Sequence, residues 1–282
     1  MKLPPIVALL LAAAVGACAA PTDTAAWEQR LRGRAVVLLG EVHDNAQIHR
    51  LRLQVLQRAV DAGWRPAIVM EQFDRERQSD IERARAERPG DADHLIRAAT
   101  ATARPAGWDW ALLRPVVELA LRHRLPLIAG NLSNADAVRI VRGGPASVFD
   151  TAALASLGLD RPTEPDWQAA QEQAIDAGHC HALPPALWPK MASAQFARDA
   201  VMADALRRHA ASGAVLLAGN GHVRRDLGVP RRLAGHPGPL LVVGFLETGD
   251  ATTPPAAFDA VVRVADSPRP APCARFGGAG RK

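Results

Sequence analysis

The chain has 282 residues, a formal net charge of +5 and 48% apolar residues, enough to bury the core of one large domain. Its 34 basic residues, nearly all arginine, are interleaved with 29 acids, as in Asp74-Arg75-Glu76-Arg77. No basic stripe alternates with aromatic residues, which excludes nucleic acid as a partner and reads as ion-paired, solvated helix faces.

Behind Lys2, residues 6–15 form an apolar run, and Val15-Gly16-Ala17-Cys18 ends it in small residues before a cysteine. A run this short is the core of an export signal and is too short to span a bilayer. The ending resembles a lipobox. It leads us to expect a signal peptide over residues 1–17, lipidation of Cys18, and a tether over residues 18–26 that holds the protein on a lipid membrane. The alternative is an ordinary secretory peptide with an incidental Cys18. Ala19 stands where sorting rules would need an aspartate for inner-membrane retention, so the expected place is the outer membrane, facing the periplasm. One domain is expected over residues 27–265. A tail rich in Pro, Gly and Arg, expected to be poorly ordered, follows over 266–282.

Within the domain, residues 35–39 are a continuous apolar run, the mark of a buried parallel strand. Ile48, Leu51, Val55, Leu56 and Ala59 then share one helical face. Further strands are expected at 67–70, 126–129, 214–218, 240–246 and 260–264, with a largely helical stretch to about residue 123 and a short helix over 134–141. Residues 143–185 are expected to hold two short helices and loops, and residues 187–211 one long helix. Strands alternating with helices give an α/β fold: a mostly parallel sheet covered by helices on both faces, with an added helical region.

In such a sheet, ligands bind beyond the carboxyl ends of the strands. There the first strand ends in Gly40-Glu41-Val42-His43, the second in Glu71, and the fourth in Gly219-Asn220-Gly221-His222. Two Gly-x-x-His turns and two carboxylates at one rim offer a site of Glu41, His43, Glu71 and His222. It is suited to acid–base catalysis, or to a divalent metal held by Glu41, His43 and His222. Each residue also has a structural reading: Glu41 as a helix cap, Glu71 as an ion-pair partner, His222 as a loop cap. His49 reads as a helix-surface residue one turn from the rim. The His179-Cys180-His181 segment offers metal or haem ligands, or an exposed loop whose cysteine pairs with Cys273. That disulfide, allowed by an even count in an oxidising compartment, closes a loop of about 90 residues, worth up to roughly 4–5 kcal/mol. Met191, Gln195, Arg198 and Met202 share one side of the long helix, either as core with a snorkelling arginine or as contacts for an amphipathic, acidic ligand.

The runs Leu39-Gly40-Glu41-Val42-His43-Asp44-Asn45, Met70-Glu71-Gln72-Phe73 and Gly219-Asn220-Gly221-His222-Val223-Arg224 resemble the ChaN-like haem-binding uptake lipoproteins of the Tiki superfamily. The segment from His179-Cys180 to Arg198-Asp199 fits the same family. The resemblance implies a parallel α/β fold with an added helical region, haem as ligand in iron acquisition, and a homodimer that holds haem between subunits. The wider superfamily includes metal-dependent proteases and esterase-like enzymes, so the resemblance also points to Glu41, His43, Glu71 and His222 as a hydrolytic site. The haem mode characterised in the family uses a tyrosine ligand, and this chain has no tyrosine. His179 or His181 is the expected substitute.

Overall fold

A computed structural model describes residues 24–31, 33–100, 107–270 and 273–274. The expected signal peptide and Cys18 lie outside these residues. Helix α1 (Thr24–Leu31) begins inside the stretch read as tether, and its Trp27 and Leu31 are buried. Among the described residues, no helix is long and apolar enough to cross a membrane.

Six strands pair in parallel throughout: β1 (Val36–Leu39), β2 (Ala67–Asp74), β3 (Leu127–Asn131), β4 (Ala214–Leu217), β5 (Leu240–Glu247) and β6 (Ala260–Val264). Their spatial order is β3-β2-β4-β1-β5-β6. The fourth strand therefore slots between the first two. Leu217 is level with Leu39 on one side and with Met70 on the other, so the three strand ends singled out above leave the sheet side by side.

Both faces are apolar because side chains alternate along each strand. Val37, Leu39, Ile68, Met70, Val215 and Leu217 join one core with helices α2 (Ala46–Asp61), α3 (Gln78–Glu87), α4 (Ala92–Thr100) and α5 (Trp110–Arg122). Beyond α6 (Asn134–Gly143), α7 (Thr151–Leu157) and α8 (Pro165–Gly178), the long helix α9 (Trp188–His209) covers the other face. There Val36, Leu38, Val69, Ala214 and Leu216 meet Met202, Ala203 and Leu206. The added helical region consists of α6, α7 and α8 packed along α9, with smaller cores around Phe149 and Trp167. Short helices α10 (Asn220–Val223) and α11 (Val229–Arg232) follow β4.

Two boundaries differ from expectation. Strand β2 runs on through Glu71-Gln72-Phe73 to Asp74, with an irregular register against β3 between Met70 and Asp74. Glu71 and the amide nitrogen of Gln72 find partners at the rim, so the strand continues past its last aliphatic residue. The start of the tail is also tied down. Arg269 bonds to Asp44 at 2.7 Å and to Glu247, and Cys273 is joined to Cys180 with their Cα atoms 5.5 Å apart.

Candidate functional site

Gly40 ends β1 and lies against Asn220, whose side chain clips onto the backbone of β5. Its amide donates to Phe245 O at 2.7 Å and accepts from Phe245 N at 3.2 Å. Asn220 thus extends the sheet instead of doing chemistry. Past Gly40, Glu41 keeps the parity of Leu39 and turns toward α2. It is buried, and both of its oxygens are occupied. Oε1 accepts from His43 Nδ1 at 2.7 Å and from Gln72 Nε2 at 3.0 Å; Oε2 accepts from Arg52. Burial alone would raise the Glu41 pKa. The Arg52 charge and the His43 hydrogen bond overcome it and hold the carboxyl ionised, with a pKa of about 2.

Two further residues of α2 lock this arrangement. His49 Nδ1 receives Arg52 Nη2 at 3.2 Å, so its Nε2 carries the hydrogen and donates to His43 O at 2.9 Å. Burial and the Arg52 charge lower the His49 pKa and keep it neutral. His49 is therefore buried, and the surface position expected for it is corrected: Arg52 turns its face of α2 inward. Asn45 caps the helix by accepting from Gln47 N and Ile48 N, so Glu41 is free of the capping role.

The second half of the site stands on the opposite face. Glu71 has the parity of Val69, which points it toward α9. Its Oε2 accepts from Gly219 N at 2.6 Å, and its Oε1 lies 3.5 Å from His222 Nε2. The other ring nitrogen of His222 lies 2.6 Å from Oδ1 of Asp199, a buried residue of α9. Burial opposes charge on His222, but Glu71 and Asp199 outweigh it and raise its pKa. The two halves meet at Gly219, where a Cβ would stand 2.9 Å from His43 Cε1 and 3.6 Å from Glu71 Oε2. Only glycine lets the His43 ring come this close.

These rim residues open onto a cleft of about 1260 Å³, lined among others by His43, Glu71, Trp108, Trp110, Arg198 and His222. Trp108 meets the His43 ring edge to face at 4.7 Å. Burial works against charge on His43, yet the Glu41 hydrogen bond and the field of Glu71 raise its pKa. Arg198 donates to Asn131 Oδ1, Leu132 O and Asn134 Oδ1, each at 2.7 Å, which fixes its guanidinium in the cleft wall. On the same helix side Gln195 also lines the cleft, whereas Met202 is core.

The structure thus brings Glu41, His43, Glu71 and His222 together. It does not assemble the expected divalent-metal set of Glu41, His43 and His222. Glu41 is fully engaged by Arg52, Gln72 and His43, and His222 lies between two carboxylates. Among the described residues, no three His, Cys, Asp or Glu side chains are grouped to hold a metal ion. His179 and His181 do not line the cleft. His179 Nδ1 donates to Ile175 O at the end of α8, and His181, with a side chain 75% exposed, pairs with Asp176 at 2.6 Å. Reasoning from sequence passed over Arg52 and Trp108, and gave no role to Gln72 and Asp199 although both fall in the family-like runs. Arg52 carried a signal: it sits four residues after Ile48 and three before Val55, inside an apolar stripe.

A parallel α/β sheet with two adjacent Gly-x-x-His turns opening onto a cleft lined by aromatic, basic and acidic side chains has the form of the strand-end class of ligand-binding folds. Residues 27–233 match the family described as haem-binding uptake, Tiki superfamily, ChaN, and the chain belongs to it. Its fold is similar to that of ChaN of Campylobacter jejuni, solved with cofacial haem, with a TM-score of 0.64 at 19% identity over 78% of this chain and 85% of that one. It is also similar to the type III effector HopBA1, with a TM-score of 0.51 at 13% identity over 88% of this chain and 95% of the effector. No curated protein matches the chain by sequence.

Proposed function

We propose that the protein binds haem in the strand-end cleft and serves haem or iron acquisition as a lipid-anchored envelope protein. The observation that carries this reading is the composition of the cleft. Sites for small ligands commonly measure about 300–1,000 Å³, and this one, at about 1260 Å³, has room for a large planar group. Trp108 and Trp110 offer flat apolar surface, and Arg198, hydrogen-bonded to three neutral oxygens though within the field of Glu71, Asp74 and Asp199, offers a fixed cation for a carboxylate. Bound haem supplies an iron open to axial ligation and two propionates that such a cation would hold.

The test is a haem titration of the full chain in detergent, followed by absorption. A saturable Soret shift near one haem per subunit, or one per pair, is expected. A folded protein with no saturable shift would overturn the reading. Sedimentation with and without haem tests the homodimer implied by the family resemblance.

The envelope location rests on Val15-Gly16-Ala17-Cys18 and Ala19. The wild-type protein should fractionate with outer membranes, and Cys18→Ser, which leaves the apolar leader uncut, should remove it from that fraction and raise its apparent mass on a gel. An unchanged distribution would remove lipidation from the proposal.

A second reading, a hydrolase working without metal, is favoured by one observation. His43, backed by an ionised Glu41, faces the same cleft as Glu71 and His222, a set able to move protons around a carbonyl. Turnover of ester or amide substrates that disappears in His43→Ala would support it.

A further inference from the structure

We propose that His43 ligates the haem iron through Nε2, an inference that rests on the haem reading above. With no tyrosine in the chain, the iron needs another donor. The residues lining the cleft include no cysteine and no methionine, and two histidines. His222 is a poor candidate. Its Nδ1 is held by Asp199 as that of His43 is by Glu41, but its Nε2, the nitrogen left for a ligand, lies 3.5 Å from Glu71 on a side chain only 15% exposed.

His43 has the opposite character. Its side chain is 47% exposed, and among the described residues its Nε2 has no hydrogen-bond partner. Its Nδ1 hydrogen is directed to Glu41, which fixes the tautomer so that the Nε2 lone pair is the one left to a ligand. Histidines that bind iron or other metals nearly always donate their second N–H to a carboxylate or carbonyl in this way. The support extends outward in layers. Arg52 and Gln72 hold Glu41, His49 holds the backbone carbonyl of His43, and Trp108 packs against the ring. Gly219 provides the space beside the imidazole. The ring is therefore oriented before any ligand arrives, which reduces the ordering cost of binding. Other cleft side chains able to donate a lone pair are hard carboxylate or amide oxygens such as Glu71, Asp74 and Gln195.

The experiment compares the haem complexes of the wild type, His43→Ala, His43→Gln and a His179→Ala/His181→Ala double variant, by absorption and by resonance Raman of the ferrous form. The wild type and the double variant should show an iron–histidine stretching mode. Both His43 variants should lose it, with a shifted Soret band and an affinity lower by about tenfold or more. Added imidazole should restore the band in His43→Ala, which a misfolded variant would not allow. A mode retained without His43, or lost with His179 and His181, overturns the assignment while haem binding stands. Wild-type haem binding with no iron–histidine mode does the same. A wild type that takes up no haem fails at the underlying reading and removes both.

Discussion

Glu41 and Arg52 form a buried ion pair whose value lies in the company they keep. Removing one partner from such a pair leaves a charge stranded away from water, at a typical cost of about 3–5 kcal/mol. Glu41→Gln should therefore lower stability in urea by that order, and an unaffected midpoint would show that Arg52 finds other relief. The pair also sets an acid limit. In the unfolded chain the Glu41 carboxyl titrates near its ordinary value of 4.5, and in the folded protein near 2. Its contribution is fully present above about pH 4.5 and is lost as pH falls toward 2, on the order of 3 kcal/mol in all. Stability measured across that window should fall less steeply in Glu41→Gln than in the wild type. Arg198 stands outside that network. If it holds a propionate, Arg198→Met should weaken haem binding by roughly 10- to 100-fold, the range for a charge-assisted hydrogen bond of about 1.5–3 kcal/mol, and leave the Soret position unchanged. At this scale the sequence revealed the residues that punctuate strand ends, Glu41, His43, Glu71 and His222. It hid Asp199 and Trp108, which reach the site from a helix and a loop remote in the chain.

The strands carry their own message in alternation. Glu71 and Gln72, neighbours on β2, point to opposite faces, one toward His222 and the other toward Glu41. The apolar runs were legible as buried parallel strands because each is continuous and β-branched. Strand order was not, because nothing local tells β4 to insert between β1 and β2; that follows from packing both faces at once. The insertion is held by a close contact. An added Cβ on Gly40 would lie 2.1 Å from Asn220 Oδ1. Gly40→Ala should push the Asn220 clip off β5 and cost about 1–3 kcal/mol, as overpacking in a tight core does. Asn220→Ala, which loses both bonds to Phe245, should cost a similar amount. Equilibrium unfolding of the two single variants and of the double variant checks the coupling. Additive losses would show that Gly40 and Asn220 act independently and that the clip is not what Gly40 makes room for.

Across the whole molecule, the chain is closed on itself by a disulfide whose cysteines do not line the cleft. Cys273 is bonded to Cys180, 93 residues earlier and beyond the end of α8, while Arg269 reaches Asp44, past the first strand, and Glu247, the last residue of the fifth. The segment after β6 therefore crosses from the strand-end rim to the added helical region. The composition of this tail, rich in Pro, Gly and Arg, hid that path, because its described residues are held by one covalent bond, two ion pairs and the hydrogen bonds of Asp266 and Ser267, and not by any periodic pattern. A closed loop of this length restricts the unfolded chain by up to roughly 4–5 kcal/mol, and each kcal/mol moves the melting temperature of a domain this size by about 2–4 °C. Reductant, or Cys273→Ser, should thus lower the melting temperature by several degrees at least, and the two treatments should not add. Because neither cysteine lines the cleft, the same treatments should leave the haem titration midpoint unchanged at temperatures where the protein stays folded. A melting temperature insensitive to reduction would mean that the ion pairs of Arg269 suffice to seat the tail. A haem midpoint that moved with the disulfide would instead place the His179–His181 segment in communication with the site.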